Sequence, residues 1–87
     1  MKIYIFTYNS TFGEPAEVMS MLKNIDSIVD LRQPFPGLFL LKSSDTAQIL
    51  SKKIIDLKPN NRFLISEISD NRQGWLPRDN WEFIKDN

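Results

Sequence analysis

Two short segments of the chain are apolar or aromatic at nearly every position. Residues 3–8 read Ile-Tyr-Ile-Phe-Thr-Tyr, and residues 38–41 read Leu-Phe-Leu-Leu. Runs of β-branched and aromatic residues are typical of strands, and successive side chains of a strand point to opposite faces. Both segments therefore carry apolar side chains on both faces, so we expect them at the centre of a sheet.

Each of these two segments is followed by a stretch in which apolar residues recur at helical spacing. The first predicted helix begins near Pro15, which is favourable in a first helical turn, and its apolar residues recur at helical spacing as far as Ile25. The second predicted helix has Ser43 and Ser44 as candidate N-cap residues and an apolar stripe over residues 47–57. Both helices are therefore predicted to be amphipathic.

Two further strands are predicted outside the apolar segments. Residues 27–33 alternate loosely, and residues 62–68 are rich in β-branched and aromatic side chains. Pro36 and Gly37 supply the pair that a type II turn favours at its two central positions, so the second and third strands are expected to form a hairpin.

The resulting order is strand, helix, strand, strand, helix, strand, followed by a short C-terminal helical appendix that starts near Pro77. This order is typical of an α+β, ferredoxin-like βαββαβ domain, predicted here over residues 1–87, with an antiparallel sheet of order 4-1-3-2. The second and fourth strands would be edges, where charged residues such as Asp30, Arg32 and Glu67 are useful.

Both helices of such a domain pack on one face of the sheet, which leaves a second apolar face. We expect this face to be covered by the C-terminal tail, by a second copy of the chain, or by both, because monomers rarely expose large apolar patches. The aromatic residues predicted to form a dimer interface are Tyr4, Phe6, Phe39, Trp75 and Trp81.

Composition excludes several kinds of chemistry. Eleven Lys and Arg balance eleven Asp and Glu, so the chain as a whole has no basic field that would attract nucleic acid. His and Cys are both absent, which excludes disulfides, thiolate nucleophiles, Cys/His zinc sites and Ser-His catalysis. No apolar run is long enough to cross a membrane and no signal-peptide layout is present, so we expect no membrane partner and a cytoplasmic location.

Few residues are candidates for a metal site. Asn9 and Ser10 lie at the end of the first strand, where their oxygens could contact a hydrated metal or a phosphate. The favoured interpretation is that they form a turn and cap a helix, because magnesium sites normally use carboxylates. Asp30 and Glu67 are predicted on opposite edges of the sheet and cannot meet within one chain. No cofactor is expected, except Mg²⁺ if the protein is a nuclease.

A phosphate-binding surface, if the chain has one, must be local. The candidates are Arg62, Arg72 and Arg78, with Trp75 available to stack on a base. Core or interface packing of the strand aromatics is favoured over base stacking, because the third strand lacks the pattern of an RNA recognition module.

Three segments resemble a known family. They are residues 1–9 (Met-Lys-Ile-Tyr-Ile-Phe-Thr-Tyr-Asn), 38–44 (Leu-Phe-Leu-Leu-Lys-Ser-Ser) and 74–81 (Gly-Trp-Leu-Pro-Arg-Asp-Asn-Trp). They are similar to the small CRISPR-associated endoribonucleases that dimerise in spacer adaptation, and above all to their SinR-like relatives. The resemblance implies a ferredoxin-like protomer, a homodimer joined through sheets and contact with nucleic-acid phosphates.

The same resemblance implies a departure at Asn9. Nuclease members of the family carry an acidic residue at the end of the first strand, and that residue binds the metal that activates water. Asn9 keeps a carbonyl oxygen but lacks the negative charge, which counts against catalysis.

Three functions stay open at this point. The first is a catalytically silent homodimeric binding protein that contacts nucleic-acid phosphates or a protein complex. The second is a divalent-metal endoribonuclease, and the third is a phage or mobile-element inhibitor that blocks a host complex through its sheet edge. Binding is favoured over catalysis.

Overall fold

A computed structural model describes residues 1–85 and gives four strands and three α-helices. Residues 86 and 87 of the predicted domain lie outside the described residues. None of the helices within residues 1–85 has the length and apolar character that crossing a bilayer requires. The strands are β1 (Lys2–Tyr8), β2 (Ile28–Phe35), β3 (Leu38–Ser43) and β4 (Phe63–Glu67), and the helices are α1 (Pro15–Lys23), α2 (Ala47–Leu57) and α3 (Arg78–Lys85).

The four strands form one antiparallel sheet in the order β2-β3-β1-β4. Read from the other edge this is the predicted order 4-1-3-2, so the ferredoxin-like βαββαβ arrangement with a C-terminal helix is confirmed. The two apolar strands, β1 and β3, are central, and the more polar β2 and β4 are the edges. Gly37 has a φ of 87° in the turn between β2 and β3, a conformation that glycine adopts without steric cost.

The larger core lies between the sheet and the helices α1 and α2. Tyr4, Phe6 and Phe39 point into this core and are at most 1% exposed. They pack there with Leu22 of α1 and Leu50 of α2. The prediction that Tyr4, Phe6 and Phe39 form a dimer interface is therefore incompatible with this fold, because a second chain cannot reach side chains that the helices cover.

The start of α2 also differs from the prediction. The N-cap is Thr46, whose hydroxyl accepts a hydrogen bond of 3.2 Å from the Ile49 N–H. Ser43 is instead the last residue of β3, and its hydroxyl accepts a bond of 3.1 Å from the Asp45 N–H. Ser44 precedes the helix without capping it. The apolar central strand continues two residues beyond the predicted end, which moves the helix start towards the C-terminus.

A smaller core lies on the second face of the sheet, where α3 packs. Phe83 and Ile84 of α3 are buried against Ile3 of β1 and Leu40 of β3. Trp81 is half-buried beside them. The C-terminal tail therefore covers one end of the second face, which was one of the alternatives that the sequence left open.

Candidate functional site

A row of four paired residues at the other end of the second face is not covered by α3. Phe35 pairs with Leu38, Leu38 with Thr7, and Thr7 with Leu64, so the row crosses all four strands. Phe35 is 52% exposed and Leu64 is 63% exposed. With neighbouring strands about 4.8 Å apart, the row is roughly 14 Å wide. We call these four residues the open strip.

A cleft of about 280 Å³ joins the open strip to α3. Ile5 and Leu40 of the central strands line it, and the loop between β4 and α3 forms one side. Trp75, in this loop, borders the cleft and is 98% exposed. The two tryptophans therefore differ, because Trp81 packs on the second core while Trp75 presents almost its whole surface to solvent.

Arg72 borders the same cleft as Trp75. Its Nη1 atom donates a hydrogen bond of 3.0 Å to the Ser69 carbonyl and lies 3.5 Å from an Asp70 carboxylate oxygen. These contacts hold the guanidinium within the loop and leave part of its charge facing outward. The structure thus brings together two of the residues predicted to contact nucleic acid.

The other two predicted arginines are placed differently. Arg78 begins α3, its side chain is 93% exposed, and its Nε atom lies 3.3 Å from Glu82 one helical turn later. Arg62 precedes β4 and lines a separate groove between β4 and α2. Arg62 therefore does not border the cleft that Arg72 and Trp75 share.

Asn9 has a structural role at the end of β1. Its side-chain oxygen accepts hydrogen bonds of 2.8 Å from the Thr11 N–H and 3.0 Å from the Thr11 hydroxyl, which caps a 3-10 helix over Ser10–Phe12. Phe12 at the end of this turn is fully buried in the larger core. A carbonyl oxygen has two lone pairs, so a metal ion could bind Asn9 only by replacing the bonds that form the turn.

Among residues 1–85, no three His, Cys, Asp or Glu side chains lie together where they could hold a metal ion. Asp30 and Glu67 lie on the two edge strands, as the sequence predicted. The described side chains therefore offer no carboxylate cluster for a metal.

A polar network that the sequence did not reveal joins the loop before α2 to the rest of the fold. The Tyr4 hydroxyl donates a hydrogen bond of 2.6 Å to the Asp45 carbonyl. The Lys53 ammonium lies 2.7 Å from the Asp45 carboxylate and also contacts the Ser27 hydroxyl. Lys53 and then Ser27 hold the pKa of Asp45 below its ordinary value. Burial, assisted by the charges of Glu67 and Asp45, raises the pKa of Tyr4.

The open strip itself was also missed at the level of sequence. The second predicted strand ends at residue 33, whereas β2 continues to Phe35, and Leu64 is predicted only as part of an edge strand. The signal lay in the turn, since a hairpin closed at Pro36 and Gly37 sets Phe35 opposite Leu38.

No protein-family model, curated protein sequence or solved structure matches this chain.

Proposed function

We propose that the protein is a homodimeric binding protein that acts without catalysis, and that the open strip and Trp75 form the contact between its two copies. The observation that carries this proposal is the exposure of Phe35, Leu64 and Trp75 on one face of the sheet. Burying apolar surface contributes about 25 cal/mol per Å². Large aromatic side chains are enriched at protein interfaces, where they supply much of the binding energy.

A second copy suits this surface for two reasons. A two-fold contact brings the same patch of both chains together, so Phe35 and Trp75 are each buried twice in one interface. A domain of this length buries only about 60 to 65% of its unfolded surface and gains stability from a partner. The hydrogen bonds of Asn9 support a role without catalysis, because they give this residue a structural task.

Tryptophan fluorescence tests the dimer contact. In a Trp81→Phe variant, Trp75 is the sole tryptophan, and acrylamide should quench its selectively excited fluorescence strongly in dilute solution and much less at high protein concentration. In the matched Trp75→Phe variant, Trp81 is the remaining tryptophan, and its quenching should change less with concentration because Trp81 is already half-buried against the second core. If Trp75 stays fully accessible to acrylamide at every concentration, it does not lie in a dimer interface.

Contact with single-stranded nucleic acid is a second candidate, favoured by the position of Arg72 beside Trp75 on one cleft. Trp75 would stack on a base, which contributes about 1 to 3 kcal/mol, while Arg72 and Arg78 would contact phosphates. Trp75 cannot be buried in a dimer and stack on a base at the same time. The two candidates are therefore distinguishable.

Retention of labelled single-stranded RNA or DNA at low salt tests the second candidate. Retention should fall as salt rises and should weaken in Arg72→Ala and in Arg78→Ala. Lys52→Ala is a matched control, because Lys52 is an exposed basic residue on α2, on the other side of the sheet. Equal loss in all three variants would indicate a nonspecific charge effect. Magnesium-dependent cleavage of the RNA that disappears in Asn9→Ala would instead establish the nuclease alternative.

A further inference from the structure

The two edges of the sheet are not equivalent. Edge strand β2 is irregular, with breaks in its register between Ile28 and Asp30 and between Arg32 and Phe35. It also contains Pro34, which has no backbone N–H to donate. Bulges, proline and charges are the features that keep an edge strand from pairing with another chain. Edge strand β4 pairs with β1 in a continuous register, and it contains neither a bulge nor a proline.

The hydrogen bonds between β1 and β4 show which backbone groups of β4 point outward. The Asn9 N–H donates to the Arg62 carbonyl at 3.4 Å, and the Ile68 N–H donates to the Ile3 carbonyl at 2.8 Å. In an antiparallel pair, residues that exchange hydrogen bonds alternate with residues whose N–H and C=O point away. The outward groups of β4 therefore belong to Phe63, Ile65 and Glu67, and within residues 1–85 none of them has a hydrogen-bond partner.

A groove of about 750 Å³ lies beside this edge, between β4 and α2. Gln48, Ser51 and Ile55 line its helical side at a spacing that places them on one face of α2. Phe63 and Ile65 line the opposite side. A strand added beside β4 would direct every second side chain into this groove. The side chains between would contact exposed Leu64 on the other face.

Charges at the two ends of the edge give the added strand a direction. Arg62 is exposed at the start of β4, and Glu67 is exposed at its end. Within the described residues neither has an oppositely charged side chain within 4.0 Å. A strand that runs antiparallel to β4 begins near Glu67 and ends near Arg62, so it would carry a basic residue first and an acidic residue last.

We propose that the edge of β4 and its groove bind an extended peptide of a partner protein, which adds to the sheet as an antiparallel fifth strand with a basic residue at its start and an acidic residue at its end. The main-chain hydrogen bonds of Phe63, Ile65 and Glu67 supply the attachment, as in other cases of β-augmentation. The alternating side chains and the two end charges supply the selectivity. This inference goes beyond the proposed dimer, whose contact lies on the face of the sheet opposite the groove and has only Leu64 in common with the peptide site.

A synthetic peptide tests the proposal with the intact protein. The probe has six residues, which matches the span from Glu67 back to Arg62, with lysine first, glutamate last and alternating valine and threonine between, and binding is measured by fluorescence polarisation. One control peptide carries the two charges exchanged. A second keeps the sequence but has N-methyl groups on the amides that face β4, which removes only the backbone donors. The probe should bind, and each control peptide should have an affinity that is lower by about tenfold or more.

Two substitutions of Glu67 separate the contribution of its backbone N–H to peptide binding from the contribution of its charge. Glu67→Pro removes an outward N–H without removing a bond to β1, and edge strands tolerate proline at such a position. Glu67→Gln keeps the N–H and removes the charge. Both substitutions should lower the affinity for the probe, and the loss in Glu67→Pro should be about threefold larger than the loss in Glu67→Gln. Circular dichroism confirms that each variant is folded before the comparison.

Several outcomes would overturn the proposal. The first is equal binding of the probe and its N-methylated control. The second is no binding of the probe by the folded protein. The third is a Glu67→Pro variant that loses a dimer present in the wild type, which would place a second copy on this edge. A Trp75→Ser variant should bind the probe unchanged, so failure of the dimer proposal is distinguishable from failure of this one.

Discussion

The guanidinium carbon of Arg32 lies 4.8 Å from the centre of the Phe83 ring, and this contact joins edge strand β2 to helix α3 across the second face of the sheet. The Lys42 ammonium lies 4.6 Å from the centre of the same ring. Phe83 is therefore an apolar anchor for α3 that two cations flank. Apolar burial dominates its contribution, since a cation-π contact contributes only about 0.5 to 1 kcal/mol at an exposed site.

Phe83→Ala should lower the free energy of unfolding by about 3 to 5 kcal/mol, because it removes a buried aromatic ring and leaves a cavity. Arg32→Met keeps an apolar stem over the ring and should cost only about 1 kcal/mol or less. Urea denaturation of the two variants measures both values. Equal losses would show that the cation, rather than ring burial, attaches α3 to the sheet.

Tyr4→Phe and Tyr8→Phe should have different effects, although each removes one hydroxyl from β1. The Tyr4 hydroxyl donates to the Asp45 carbonyl, so Tyr4→Phe should destabilise the protein by about 1 kcal/mol. The Tyr8 hydroxyl is buried with no partner among the described residues, so Tyr8→Phe should be neutral or stabilising. Thermal unfolding of the matched pair checks the sign. A larger loss in Tyr8→Phe would mean that the Tyr8 hydroxyl, and not the Tyr4 hydroxyl, makes the stabilising hydrogen bond.

Asp45→Asn should destabilise the protein in a pH-dependent way. Lys53 and Ser27 hold the pKa of the Asp45 carboxylate below its ordinary value, so the charged form is favoured by folding. The resulting stabilisation is present above about pH 4, the ordinary range of an aspartate, and is lost as the pH falls through the lowered pKa. The difference between wild type and variant should therefore shrink in acid. Urea denaturation at a series of pH values tests this, and a difference that grows in acid would refute it.

Asn9→Ala should destabilise the protein by about 1 kcal/mol, because it removes the side-chain oxygen that caps the turn after β1. Asn9→Asp retains that oxygen and should have little effect on stability. Chemical denaturation of both variants measures the difference. If Asn9→Ala is as stable as the wild type and Mg²⁺ stabilises only the wild type, Asn9 is a metal ligand instead of a cap.

The sheet was predictable because its signals are local. The apolar residues of β1 and β3 require burial on both faces, and the polar residues of β2 and β4 suit edges. Gly37 at the hairpin turn fixed the pairing of the two strands that it joins. These constraints act within a few residues, so the order of the sheet followed from them.

The faces of the sheet were not predictable in the same way. Tyr4 and Ile3 are both apolar enough to face either core, and the choice between them depends on which face α1 and α2 cover. The row from Phe35 to Leu64 appears only when four strands are aligned in space. The polar network at Asp45 likewise joins residues that are distant in sequence, which no local pattern records.

The native mass of the protein tests whether the open strip and Trp75 join two copies of the chain. Native mass spectrometry of the wild type should show a species of twice the 10.2 kDa chain mass. A Phe35→Ser and Trp75→Ser double variant should appear at the single-chain mass, while Ile55→Ser, which changes an exposed apolar residue on α2, should keep the doubled mass. A wild type that appears only at the single-chain mass, or a double variant that keeps the doubled mass, would show that these residues do not join two copies.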